Sequence, residues 1–492
     1  MSLFKSILLA GGALVAFAAV SQAADLPTKK AAPAAAKPNC YATFWTWLDS
    51  TAADCPLSAY GVTVYGTLDF GGGYMTNGTG FNRQYPTGVE ELVSKNGNGG
   101  RWNLVPGGIS QSVVGAKLSE HIFGDVSIVG MAETGFDPYT LQLANGPGSQ
   151  VANNGNILQN QTGNGDSSRA GQIFNSQVNI GLSSKTFGTL LFGRVNGLTT
   201  DAVGAYDPMG GSYAFSPIGY SGATSGVGDT EDARYNTAFK YALSYNNLRA
   251  SALVQVGGYE QGNASNGAYQ VGVGADFYGF SVDGIFSHVT DAVALANFST
   301  GIAIAAPALM GNLKATLSND QSVMLVGKYT WGPLKLFAGY EGIQFYNPSD
   351  NFAGGFNSIG GITIPAGQVT SNAFIDTRRL DIMWIGAKYA IRDNIDITGA
   401  YYHYNQNNYN ANPAANCGPN TTVPAPGFSP QGSAGSKCAG TLDAVSAMID
   451  YRPFKRVDIY GGLMFSQVAG GLANGYLKSN NVDPTVGLRI KF

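Results

Sequence analysis

The sequence predicts an all-β protein: a transmembrane antiparallel β-barrel of sixteen strands. Three observations carry this expectation. Only 12% of the 492 residues are charged, about half the usual share of a soluble domain, while 68 glycines, 26 tyrosines and 25 phenylalanines crowd the chain. Mean hydropathy is close to zero, which does not suit a helical bundle whose spans each need roughly 20 consecutive apolar residues. The stretch Pro484-Thr485-Val486-Gly487-Leu488-Arg489-Ile490-Lys491-Phe492 alternates, with Val486, Leu488, Ile490 and Phe492 on one face and Thr485, Gly487, Arg489 and Lys491 on the other. A strand with lipid on one side and water on the other requires a closed barrel, because lipid cannot satisfy an open sheet edge. Finally, the connections between alternating segments switch strictly between short and long.

From the start of the chain, residues 1–23 read as a secretory signal, with Lys5 in the basic region, an apolar stretch over 7–20 and Ser21-Gln22-Ala23 before the cut. A membrane anchor is the competing reading, but the apolar core falls short of roughly 18 residues and no basic cluster follows. Residues 24–58 form a periplasmic N-terminal tail that opens with an Ala/Pro/Lys stretch, and 59–492 form the barrel. Its expected strands are 60–76, 107–120, 124–137, 169–184, 188–195, 234–245, 248–258, 268–276, 280–290, 319–330, 333–346, 378–390, 394–405, 441–451, 456–468 and 482–492. The long connections are 77–106, 138–168, 196–233, 259–267, 291–318, 347–377, 406–440 and 469–481, rich in Gly, Asn, Ser and Pro. Short turns at one rim and long loops at the other are the pattern of an outer-membrane barrel. Export permits disulfides, and among the three connectivities open to four cysteines, proximity favours Cys40 with Cys55 and Cys417 with Cys438.

Alternation also assigns faces. In 234–245, Tyr235, Phe239, Tyr241, Leu243 and Tyr245 oppose Arg234, Asn236, Lys240 and Ser244. In 249–256, Ala250, Ala252, Val254 and Val256 oppose Arg249, Ser251 and Gln255, and in 457–465, Val457, Ile459, Leu463 and Phe465 oppose Asp458 and Tyr460. The apolar faces should meet lipid or a neighbouring subunit and the polar faces a water-filled lumen. Tyr60, Tyr65, Tyr235, Tyr245, Tyr329, Tyr340, Phe345, Tyr389, Tyr401 and Phe492 lie near strand ends, where interfacial girdles form. Gly66 and Gly71 to Gly73 suit close subunit packing, and equally suit bends.

Several segments resemble the general porins of Gram-negative bacteria. Val62-Thr63-Val64-Tyr65-Gly66-Thr67-Leu68-Asp69 resembles that family's first strand, and Val114-Gly115-Ala116-Lys117-Leu118-Ser119-Glu120 with Glu133-Thr134-Gly135-Phe136 its second hairpin. Phe174-Asn175-Ser176-Gln177-Val178-Asn179-Ile180-Gly181-Leu182-Ser183, followed by Phe187-Gly188-Thr189-Leu190-Leu191-Phe192-Gly193-Arg194, resembles the fourth and fifth strands most specifically. The opening Cys40 to Pro56 resembles the alphaproteobacterial members. The resemblance implies a homotrimer of barrels in the Gram-negative outer membrane, contacting its lipid and lipopolysaccharide, with the third long loop folded into the lumen. That loop, 196–233, carries Asp201, Asp207, Asp229, Glu231 and Asp232 and no Lys or Arg. Its carboxylates are expected to face basic wall residues and set up a transverse field that screens solutes by size and charge. The candidate bases are Arg169, Arg194, Arg234, Lys240 and Arg249, of which Arg234 and Lys240 stand out. Strict alternation from Leu190 and Phe192 would turn Arg194 outward unless a bulge intervenes. Two family arginines are replaced, with Val113 after Ser112 and with Ser176, so the basic wall looks thinned or rebuilt from Arg101 and Arg169, and a mild cation preference follows as an expectation. In the family a terminal Phe, here Phe492, is read by the barrel-assembly machinery.

The net charge of −3 excludes a nucleic-acid footprint. The histidines, His121, His288 and His403, are scattered, and no hydrolase or zinc motif appears, so neither an enzyme, a cofactor nor a metal site is expected. The expected function is passive diffusion of ions and small hydrophilic solutes. The alternatives are a substrate-preferring channel with a solute-binding site and, further off, a structural or adhesin barrel.

Overall fold

The computed structural model describes residues 39–78, 93, 99–141, 143, 172–218, 231–297, 313–348, 358–359, 362–363, 369–409, 438–470, 472 and 478–492. The expected signal segment and residues 24–38 lie outside them. Sixteen strands form one closed antiparallel barrel. They are β1 (Val62–Met75), β2 in two pieces (Arg101–Pro106 and Ser112–Phe123), β3 (Val126–Phe136), β4 (Val178–Ser184) and β5 (Gly188–Asn196). Next come β6 (Arg234–Tyr245), β7 (Leu248–Gln255), β8 (Gly267–Phe277), β9 (Phe280–Asn297), β10 (Leu313–Trp331) and β11 (Leu334–Tyr346). The circuit ends with β12 (Arg378–Arg392), β13 (Ile395–Gln406), β14 (Gly440–Phe454), β15 (Val457–Gly470) and β16 (Asn480–Lys491). Each strand pairs with the next, and β16 returns to β1 in the register Thr67↔Lys491 to Gly73↔Thr485. Closure leaves no sheet edge for lipid to expose.

The bounds differ most from expectation at four strands. The second strand starts earlier and is broken at 107–111, because the inward, fully buried carboxylate of Asp69 accepts the amides of Ile109 (3.1 Å) and Ser110 (2.9 Å) and takes the Tyr460 hydroxyl at 2.5 Å. Those bonds replace the ladder across the break. It also runs on to Phe123, so His121 lies in strand rather than in a turn. The fourth strand begins only at Val178, and β9 and β10 extend well past the residues expected of them. The short connections are tight turns. Between the paired Phe277 and Phe280, Tyr278 and Gly279 have φ of 49° and 86°, the positive pair that matches the twist of a two-residue hairpin.

At the closing seam, the Phe492 amide donates to Gly66 O and the Gly66 amide to Phe492 O, both at 3.0 Å. The Phe492 ring lies over Gly66, where any Cβ would overlap it. On β16, Val482, Val486 and Leu488 are exposed outward while Asn481, Asp483 and Thr485 are buried inward, as alternation requires. β7 and β15 keep their expected faces too. Among the girdle candidates, Tyr245, Tyr340, Tyr389 and Tyr401 are exposed on the outside. Tyr65, Tyr235 and Phe345 are corrections, since all three face inward: Lys117 lies over the Tyr65 ring, Tyr235 is fully buried, and Arg378 lies over the Phe345 ring. Gly71 and Gly73 are also inward, against Tyr460 and Thr485, and only Gly66 and Gly72 share the outer face.

The segment before the barrel is a small cap. Cys40 and Cys55 are bonded, with Cα atoms 5.5 Å apart, around helix α1 (Phe44–Leu48), whose N-cap Thr43 accepts the Thr46 amide at 3.1 Å. Arg456, in the turn between β14 and β15, fastens the cap to the barrel. It is 1% exposed, donates to the carbonyls of Trp47 (2.9 Å), Thr51 (3.0 Å) and Cys55 (2.7 Å), and lies over the Trp47 ring. Cys438 is also disulfide-bonded; Cys417, its expected partner, lies outside the described residues.

Candidate functional site

The lumen is organised by the chain between β5 and β6. Gly197 turns it inward, and helix α2 (Leu198–Tyr206) begins where the Leu198 amide donates to Gln270 Oε1 at 2.6 Å. The buried face of α2, formed by Leu198, Thr199, Ala202, Val203 and Tyr206, packs against β7 to β11. At its C-terminus Trp384 of β12 donates to Tyr206 O (3.1 Å), and the Tyr206 hydroxyl meets Ser281 of β9 (2.8 Å). Tyr402 of β13 donates to Asp207 at 2.6 Å, and Pro208 rests on Gly386, where no Cβ would fit. The chain then crosses to the other wall. Ser212 and the Ala214 amide both donate to Gly108 O (2.9 and 2.8 Å), Tyr213 donates to Gln111 (2.9 Å), and Phe215 meets the Tyr460 ring edge-on. Residues 197–218 therefore traverse the barrel from the β8–β10 wall to the walls formed by β2 and β15.

This insertion changes what the inner face must be. Met324, Val326, Ile343, Leu380, Ile382, Trp384, Tyr404, Leu442 and Met464 point inward and form one buried apolar cluster with α2, Met209 and Phe215. Burial against an inserted segment favours apolar side chains on the side that alternation alone would reserve for water. The expectation of a uniformly polar inner face is corrected on these strands.

The acidic residues of the loop are placed individually. Asp201 forms an ion pair with Lys240, whose Nζ also donates to Asn196 O at 2.9 Å. Asp207 is buried; the Gly211 amide (2.8 Å) and the Tyr402 hydroxyl bind it, yet burial pushes its carboxyl above the ordinary carboxylate value. Glu231 is buried where the loop returns, accepts the Ser322 hydroxyl, and is likewise raised by burial. It faces Glu341 of β11. Asp232 is buried beside it, and Asp229 lies outside the described residues.

The basic candidates divide as well. Arg249 faces inward and binds Asp276 and Asp283, the latter at 3.1 Å from Nη2. Arg194 is a correction: a register shift between Gly193 and Val195 puts it at a bulge, where it is buried and donates to Ser176 O (2.9 Å), Asn175 O (2.7 Å) and Asn236 Oδ1 (2.7 Å). It ties strand ends together and presents no charge to the lumen. Arg234 is a second correction. Thr237 has a φ of 47°, and this bulge turns Tyr235 to the same face as Lys240, so Arg234 and Lys240 do not share a face. Arg169 lies outside the described residues. Among the described residues Asp207, Glu231 and Asp232 are thus buried, while Asp201 meets the expected wall base Lys240. At the replaced position, Ser176 donates to Glu133, which also takes the Tyr65 hydroxyl at 2.8 Å. His403 and Tyr401 both bind Asp443 on the outer face (2.7 and 2.6 Å).

The sequence reading missed Lys328, Lys335 and Lys388, which project inward from β10, β11 and β12 near the periplasmic rim. Lys328 borders a cavity of about 690 Å³ beneath the end of α2, lined also by Tyr206, Arg249, Asp276, Ser281 and Asp283.

A family model described as Gram-negative porin matches residues 10–470. An outer membrane porin protein of Bordetella pertussis is 23% identical over 366 residues, covering 69% of this chain and 78% of that protein. Among solved structures, an anion-selective porin from Comamonas acidovorans superposes with a TM-score of 0.55 at 15% identity, over 88% of this chain and 99% of the other. The trimer form of the Vibrio cholerae outer membrane protein OmpT does so with a TM-score of 0.50 at 13% identity, over 88% of this chain and 99% of the other.

Proposed function

Because the chain belongs to the Gram-negative porin family and is an outer-membrane diffusion channel, we propose that residues 197–218 set its size limit, that it works as a homotrimer, and that no catalytic step accompanies transport. The observation that carries the first point is the crossing of the lumen by this segment, held at one wall through Tyr206 and Asp207 and at the other through Ser212 to Phe215. An insertion anchored on both sides leaves solutes only the space around it. Size selection then depends on that space, and each solute that fits moves down its gradient. The trimer is supported by the small outward residues of the β1 to β3 wall, Gly72, Ala116, Gly130 and Ala132, which let a second barrel approach closely. The trimer form of the Vibrio cholerae relative supports it too.

Removing residues 209–217 and joining the ends with a short Gly/Ser linker tests the size limit. Single-channel conductance in planar bilayers should rise at least twofold, and larger sugars should enter proteoliposomes faster. An unchanged conductance from a folded barrel assigns the limit elsewhere.

A further inference from the structure

The periplasmic end of the inner wall carries three lysines on three adjacent strands. Lys328 shares its face with Ser322, which binds Glu231 of the inserted loop; Lys335 shares that of the buried Glu341 and Ile343; Lys388 shares that of Trp384, which binds Tyr206 O. All three therefore point inward. Lys335 and Lys388 are direct cross-strand partners, and Lys328 lies two residues from Thr330, the partner of Lys335. Like charges placed directly opposite each other on neighbouring strands repel.

The wall carboxylates nearest to them attract them from a distance but are bound by arginines. On one side Asp276 and Asp283 are held by Arg249, and on the other Asp396 and Asp450 are held by Arg452, at 2.7 and 2.8 Å. Lys328 donates to Ala205 O at 3.3 Å and sits 5.0 Å from the centre of the Tyr206 ring, contacts that leave its charge in place. Among the described residues, no carboxylate lies within ion-pair distance of any of the three lysines. Three compact ammonium groups, each with rotatable donors, thus converge beneath the inserted segment in a lumen whose walls focus their field.

We infer that Lys328, Lys335 and Lys388 form a binding site for a multivalent oxyanion of the phosphate class at the periplasmic mouth of the channel. The site concentrates anions at that mouth, opposite in sign to the preference the acidic loop suggested from sequence. The functional effect rests on the channel reading above; the binding itself does not.

The test uses the full-length purified protein in planar bilayers, with inorganic phosphate on the periplasmic side and a potassium chloride gradient across the membrane. Wild type should reverse on the anion side and be blocked by phosphate. K328Q/K335Q/K388Q should raise the half-blocking phosphate concentration at least tenfold and move the reversal potential toward cations. K117Q, which removes an inward lysine from another wall, should change the block less than twofold. The site is overturned by wild-type block and reversal in a triple variant that retains a heat-modifiable barrel, or by an equal effect of K117Q. If no current flows, the channel reading fails on its own, and calorimetric titration of the detergent-solubilised protein with inorganic phosphate decides the site: binding lost in the triple variant supports it, and no binding to wild type overturns it.

Discussion

Arg456 holds the N-terminal cap on the barrel through three carbonyls, and charged donors of this kind are worth about 1.5–3 kcal/mol each. Arg456→Ala should make chymotrypsin cleavage at the exposed Tyr41, Phe44 and Trp45 at least tenfold faster, with the Cys40–Cys55 bond intact and conductance unchanged; equal protection would remove its role as an anchor. No sequence pattern marks this residue, because its acceptors are main-chain atoms, one of them 401 residues earlier. The lumen lysines were partly readable. Lys335 sits between Leu334 and Leu336, and Lys388 between Ala387 and Tyr389, so alternation turns both inward. Lys328 follows Val323-Met324-Leu325-Val326, where both faces are apolar and the period cannot be read. Arg234 misled for the opposite reason: the strand alternates well on paper, and the bulge at Thr237 is set by its pairing with β5.

At the scale of elements, the seam between β1 and β16 and the inserted segment each make a prediction. Gly66→Leu places side-chain atoms where the Phe492 ring lies. The barrel should then unfold at lower temperature on heat-modifiability gels, and adding Phe492→Ala should recover part of the loss. No shift in the single variant would show the ring to be free to move aside. For the insertion, burial raises the carboxyls of Asp207 and Glu231. An acid whose folded value lies above its unfolded one stabilises the folded arrangement fully below the unfolded value, and that contribution is lost as pH rises through the folded value. The segment should be held most firmly in acid and loosen above the ordinary carboxylate range. Mean conductance should rise with pH in wild type and rise less in Asp207→Asn, which keeps an acceptor for Tyr402. A flat pH response in wild type would detach these carboxyls from the anchoring. That the loop enters the barrel was expected only through resemblance, and its anchors, Trp384, Tyr402 and Gly386, stand 178 or more residues away along the chain.

For the whole molecule, the barrel was legible because its rules are local: alternating outer faces, short turns at one rim, long loops at the other. The inner face was not, because a segment from elsewhere in the chain fills it and recruits apolar side chains such as Ile343, Leu380 and Leu442 to the side facing away from lipid. The same insertion uses the loop acids Asp201, Asp207 and Glu231 as anchors and partners. The central claim, a closed barrel that conducts passively around its inserted loop and assembles in threes, is tested most directly by recording single insertions of the purified protein in a planar bilayer. The account predicts large openings in three equal ohmic steps. A silent membrane, or current that saturates with salt and comes in unrelated single steps, would contradict it.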